Sequence, residues 1–120
     1  MMRIATWNIN SVRLRLNQVL NFVNERKIDT LCLQETKTQD EFFPLDDFIK
    51  AGMKYQYFRG EKSYNGVAIL SNTKFTDMNH TDYCKKGDAR HVSVKFINDI
   101  ELHNFYVPAG GDEPDISTNQ

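Results

Sequence analysis

Residues 3–35 read RIATWNINSVRLRLNQVLNFVNERKIDTLCLQE, and the fold is decided in this stretch. Residues 3–7 alternate in character and are β-prone, and Asn8, Asn10 and Ser11 follow as turn and helix-cap residues, so a first strand ends near Asn8. Val12, Leu16, Val19, Leu20 and Val23 then recur along one helical face, which predicts an amphipathic helix over 12–27. Residues 30–33 are a short apolar run with an abruptly polar exit at Gln34, Glu35, Thr36 and Lys37. A strand, helix and strand of these lengths make a right-handed crossover between parallel strands, whose carboxyl ends then lie at the same edge of the sheet.

Further along, residues 39–51 carry Phe42, Phe43, Leu45, Phe48 and Ile49 around Pro44, which predicts a short, interrupted helix ending at Gly52. After Gly52 the character changes. Residues 55–59, 66–71, 90–97 and 101–107 read as strands, with Asn98 and Asp99 as a hairpin turn between the last two. That half is expected to be antiparallel, which gives an α/β fold class: a mixed, mostly antiparallel sheet with helices on one face. The tail 108–120 contains Gly110, Gly111 and Pro114 and closes on polar residues suited to cap a helix that does not follow, so the chain reads as truncated, although an ordinary disordered terminus explains the same residues.

The 120 residues suit a single domain, and 40% hydrophobic with 26% charged content is that of a soluble globular protein. No apolar stretch approaches the roughly 18 residues of a membrane span, and no signal-peptide pattern precedes the first strand, so a cytoplasmic location is expected. A formal net charge of −1 excludes a globally basic nucleic-acid binder, and any DNA contact has to be local. The candidate spots are Arg13 with Arg15, then Lys37, and the cluster Lys85, Lys86, Arg90 and His91; each alone also reads as an ordinary solvated charge. Cys32 and Cys84 fit neither a disulfide framework nor a zinc spacing and read as free thiols.

Asn8 and Glu35 each sit just past a strand end at the shared edge, where open α/β sheets bind ligands. A carboxylate and an amide oxygen together offer hard donors that suit Mg²⁺ or Mn²⁺. As bare pattern, Asn8 is equally a turn residue and Glu35 a surface acid.

Five ordered motifs carry a resemblance: 7–13 (WNINSVR), 33–37 (LQETK), 64–68 (YNGVA), 88–90 (DAR) and 106–108 (YVP). Their order and spacing resemble the exonuclease III family of apurinic/apyrimidinic (AP) endonucleases, within the endonuclease/exonuclease/phosphatase superfamily. The likeness covers essentially all of this chain but only about the first half of a typical member. It implies that residues 1–120 are a single incomplete domain, half of a four-layer α/β sandwich, with the second sheet supplied by the missing half. An uncovered apolar face is therefore expected, and with it marginal stability, oligomerisation or aggregation.

The resemblance further implies a metal-dependent AP endonuclease and 3′-to-5′ exonuclease acting on duplex DNA with abasic sites or 3′ ends. Asn8 and Glu35 would help bind Mg²⁺, or Mn²⁺, and the Tyr106 hydroxyl would lie against the scissile phosphate. Arg13, Lys37, Asn65 and Arg90 match DNA-backbone or active-site positions. Tyr64 reads as a packing residue. Family members also carry an Asp-x-Asn pair that activates water and a late Asp-His pair. Neither has a substitute here: His80, His91 and His103 lie in no such pair and read as structural. Hydrolysis by this chain alone is expected to be weak or absent, and a complementary carboxyl-terminal chain is the implied partner. Two alternatives stand beside this reading: another superfamily phosphatase or phosphodiesterase acting on a small phosphorylated substrate, and a non-catalytic split-gene remnant.

Overall fold

Alternation along the first strand sends Ala5 and Trp7 to one face, where a helix covers them, and Ile4, Thr6 and Asn8 to the other. A computed structural model describes residues 2–81 and 89–107. Strand β1 (Ile4–Asn8) leads to helix α1 (Leu16–Arg26) and strand β2 (Thr30–Gln34). A 3₁₀ turn (Asp40–Phe42) and helix α2 (Leu45–Lys50) follow, then β3 (Tyr55–Arg59), β4 (Val67–Ser71), β5 (Phe75–Asn79), β6 (His91–Phe96) and β7 (Glu101–Phe105). The first four strands form one sheet in the order β1-β2-β4-β3, with β1 parallel to β2 and the other pairs antiparallel. The last three form an antiparallel sheet in the order β5-β6-β7.

Helix α1 begins four residues later than its apolar periodicity suggests. Asn10 and Ser11 both take left-handed φ values, and the Val12 amide donates to the Thr36 carbonyl at 3.1 Å, so residues 12–15 form a turn tied to the β2 exit rather than a first helical turn. Lys27, at φ 54°, ends the helix with its backbone amide on the Val23 carbonyl. The interrupted helix around Pro44 is present as the 3₁₀ turn and α2.

Two cores lie on opposite faces of the first sheet. Val19 and Val23 of α1 and Phe43, Phe48 and Met53 from the α2 region pack on Leu31, Leu33, Ala68 and Leu70. On the other face Cys32, Val67 and Ile69 meet Val92, Val94 and Phe96 of β6. The helices thus occupy one face of the mixed sheet, as expected. The second sheet, however, comes from this chain itself and not from an absent half, so the expected bare apolar face is corrected. Alternation within 91–96 explains it, since Val92, Val94 and Phe96 all point to the first sheet.

Strand β5 was invisible in the sequence. It buries only Phe75 against the core, and a register shift between Phe75 and Asp77 breaks the alternation that marks a strand. Tyr64, read as a packing residue, is 67% exposed on the loop before β4. Cys32 is a buried free thiol, its pKa pushed up to about 12 by burial, and Cys84 lies outside the described residues. No described helix is long and apolar enough to cross a membrane.

Candidate active site

The loops after β1 and β2, the loop before β4 and the approach to β6 meet at one edge and are stitched together through their backbones. Ser11 N–H donates to Glu35 O at 2.8 Å, Lys37 N–H to Asn65 O at 2.8 Å, Thr36 N–H to Gly66 O at 3.2 Å and Gly66 N–H to Ala89 O at 2.9 Å. Six non-glycine residues here, Asn10, Ser11, Glu35, Lys37, Ser63 and Asn65, hold φ between 45° and 86°. Such conformations cost on the order of 1–3 kcal/mol each for most residues and persist only where surrounding bonds over-determine them. Concentrated strain of this kind marks a site held for geometry rather than for stability.

Gly66, at φ 95°, permits a close approach: a Cβ there would stand 2.0 Å from Thr36 Oγ1. Glu61 anchors the same loop, its Oε2 accepting from Asn65 Nδ2 at 2.8 Å and from the Ala89 amide at 3.1 Å.

Within this frame Asn8 Nδ2 donates to Glu35 Oε2 at 2.6 Å, and Lys37 Nζ lies 3.5 Å from Glu35 Oε1 and 2.6 Å from Asn10 Oδ1. The Lys37–Glu35 pair is part-exposed, so it contributes at most about 1 kcal/mol and does not by itself place the carboxylate. The backbone bonds do.

Tyr106 enters from the second sheet, two residues past Asn104. Its amide donates to the Arg90 carbonyl at 2.8 Å. The phenol pKa lies above its ordinary value, first through burial and then through the Glu35 carboxylate, with Arg90 opposing. Tyr106, Glu35 and Arg90 therefore share one electrostatic environment, and the hydroxyl stays protonated, a donor, at neutral pH.

The register between sheets is fixed by a buried amide. Asn104 Nδ2 donates to the carbonyls of Leu33 and Ala68, both at 2.9 Å, and Oδ1 accepts from Gln34 Nε2 at 2.7 Å.

Asn8, Glu35 and Lys37 thus meet directly, and Tyr106 and Arg90 close the corner. Asn65 instead serves the loop through Glu61. Arg13 stands apart, its guanidinium 5.6 Å over the Phe42 ring, in a groove it shares with Lys37 and Lys62. Sequence reasoning missed Asn10, Glu61 and Asn104. Asn10 lies inside the first quoted motif, whereas Glu61 ties its own loop to Ala89, 28 residues on, and Asn104 reaches Leu33, 71 residues back, contacts that leave no local signal.

Asn8 and Glu35 are in contact through Asn8 Nδ2 and Glu35 Oε2, and the carboxylate together with the Asn8 amide oxygen is a hard-donor set of the kind that fits Mg²⁺, which keeps several waters and accepts one or two carboxylates. Among the described residues no group of three or more His, Cys, Asp or Glu could hold a metal. His91 and His103 bond each other at 3.0 Å on the outer face of the second sheet, away from this corner.

Residues 5–118 match the family "Endonuclease/Exonuclease/phosphatase family". Exodeoxyribonuclease III of Haemophilus influenzae is 35% identical over 71 residues, 58% of this chain and 26% of that protein. The structure of an AP endonuclease from Archaeoglobus fulgidus superposes with a TM-score of 0.83 at 40% identity, covering 92% of this chain and 42% of that one. A 3′ phosphatase, NExo, from Neisseria, bound to a product DNA hairpin, superposes with a TM-score of 0.85 at 31% identity, covering 95% and 45%. The chain spans less than half the length of each.

Proposed function

This chain belongs to the Endonuclease/Exonuclease/phosphatase family, and from that membership we propose that it carries the metal-binding and phosphate-facing part of a DNA-repair nuclease of exonuclease III type. The reaction is hydrolysis of a phosphodiester in duplex DNA, at an abasic site or from a 3′ end, in the cytoplasm. The carrying observation is the Asn8–Glu35 bond set beside Tyr106 and Arg90 at one sheet edge.

Each side chain has a task that its surroundings favour. Glu35 and Asn8 would hold Mg²⁺ or Mn²⁺, which when bound stabilises negative charge on the phosphate oxygens. Tyr106, kept protonated, donates its hydroxyl hydrogen to a phosphate oxygen. Arg90 supplies fixed positive charge on the same side, and Lys37 lies between the Glu35 carboxylate and Asn10 Oδ1. None of these residues is placed to take a proton from water, so we assign the general base to the Asp-x-Asn and Asp-His groups that a complementary chain would bring. On that reading the 120 residues alone are weakly active or inactive.

A phosphatase for small phosphorylated substrates would use the same corner. The cations beyond it, Arg13 and Lys62, favour an extended polyanion. Equilibrium binding separates the two: a duplex with one abasic site should bind more tightly than an inositol phosphate, and the reverse order would sink the DNA reading.

A further inference from the structure

On the outer face of the second sheet four residues form one hydrogen-bonded relay. The Thr81 amide donates to His91 Nδ1 at 2.9 Å, His91 Nε2 lies 3.0 Å from His103 Nδ1, and His103 Nε2 lies 3.2 Å from Glu101 Oε1. The two ends fix where every proton sits. A backbone amide only donates, so His91 carries its proton on Nε2 and gives it to His103 Nδ1; the His103 proton is then on Nε2, facing a carboxylate that only accepts. A further proton can enter only by breaking the Thr81 bond or the bond between the rings.

The relay lies directly behind the candidate active site. His91 is buried and pairs across β6 and β7 with Phe105, their ring centroids 4.5 Å apart. The next residues on the two strands toward the corner are Arg90 and Tyr106, joined where the Tyr106 amide donates to the Arg90 carbonyl at 2.8 Å. We propose that the relay is a proton-sensitive positioning element for Tyr106: intact, it clamps β7 to β6 behind the phenol, and proton uptake releases the clamp. Its use in the reaction rests on the nuclease reading above; its geometry does not. His91 and His103 are positioning residues, since they act on the corner only through Arg90 and Tyr106.

The surroundings set the direction. Arg59 on β3 donates to the His91 carbonyl at 3.2 Å, His80 follows β5, and Asp77, Lys95 and Glu101 line the same cleft as the two rings from β5, β6 and β7. Burial first, then His103, Arg59 and His80, hold the His91 pKa below its ordinary value. The relay is therefore whole at neutral pH and gives way on the acid side. The His103–Glu101 contact is exposed and adds little stability by itself; its effect is to fix the tautomer.

Amide hydrogen exchange of the 120-residue chain, followed by NMR with each rate corrected for its intrinsic pH dependence, tests this. From about pH 7 to about pH 5, where histidines take up protons, protection of the Tyr106 amide should fall further than that of the Cys32 amide in β2, which is paired on both sides. The extra loss should be about fivefold, the net worth of one ordinary hydrogen bond. A merely stabilising role would lower both amides alike. His91→Phe, which keeps a stacked ring without its nitrogens, should abolish the difference. Imidazole nitrogen shifts of the wild-type chain at neutral pH should show both rings protonated on Nε2, a readout that needs no variant. Parallel loss at Tyr106 and Cys32, an unchanged difference in His91→Phe, or a His91 protonated on Nδ1 would overturn the proposal. Neither readout involves DNA or metal, so such a failure leaves the nuclease reading standing. A preference for inositol phosphate over duplex sinks that reading and leaves the relay in place.

Discussion

Asn104 on β7 accepts a 2.7 Å hydrogen bond from the side chain of Gln34 at the end of β2. The residue after Gln34 is Glu35, and two residues after Asn104 is Tyr106. One buried contact between the sheets therefore sets how the carboxylate and the phenol face each other, although neither belongs to it.

Asn104→Leu should cost about 2 kcal/mol, because the Leu33 and Ala68 carbonyls and the Gln34 amide each lose a buried partner at roughly 1 kcal/mol or less net apiece. Urea unfolding should show a lower midpoint with an unchanged slope. If stability holds, the inter-sheet register is set by the apolar contacts of Val92, Val94 and Phe96 alone.

Gly66→Ala should destabilise by about 2–4 kcal/mol, since it combines a strained φ with a contact 2.0 Å from Thr36 Oγ1. Adding Thr36→Ala should recover part of the loss by removing the hydroxyl while the φ penalty remains. Thermal melts of the single and double variants decide this; no recovery would place the whole cost in the backbone.

His91 gives the fold an acid limit. Its Nδ1 accepts from the Thr81 amide at 2.9 Å, and its pKa is held below the usual value first by burial and then by His103, Arg59 and His80. The unfolded chain takes up a proton on this residue below about pH 6.5 more readily than the folded one does. Stability is thus fully present above that pH and lost as pH falls through the lower folded value. His91→Phe should flatten the melting temperature between pH 7 and pH 5, and an equally steep profile in the variant would move the acid limit elsewhere.

The first sheet was legible in the sequence because its inner strands β2 and β4 are apolar on both faces, β1 alternates, and its turns are marked by Gly52, Asn8 and Asn10. The site was legible only in part. Asn8 and Glu35 could be brought to one edge by the crossover rule, but Tyr106 joins them through a second sheet whose packing rests on alternation in β6 and on Asn104, a long-range contact with no local signature. Strand β5, with one core residue and a bulge, left no periodicity to read. The helix start shifted because two left-handed residues ahead of it bind the β2 loop, a tertiary demand that overrides helical spacing.

Glu35→Ala should remove the carboxylate of the proposed cation pair and weaken Mn²⁺ binding at least tenfold, read by paramagnetic broadening of signals from residues around Asn8. Asn8→Ala should weaken it less, since a neutral oxygen is lost in place of a charged one. Equal broadening in all three proteins would place the cation elsewhere.

Cleavage of a duplex with one abasic site tests the nuclease reading most directly, with this chain mixed with one that supplies the Asp-x-Asn and Asp-His segments, in Mg²⁺ and in EDTA. The expected result is incision that requires the metal and disappears with Glu35→Ala, and that is weak or absent without the second chain. Incision that survives EDTA or Glu35→Ala, or none with both chains present, would contradict it.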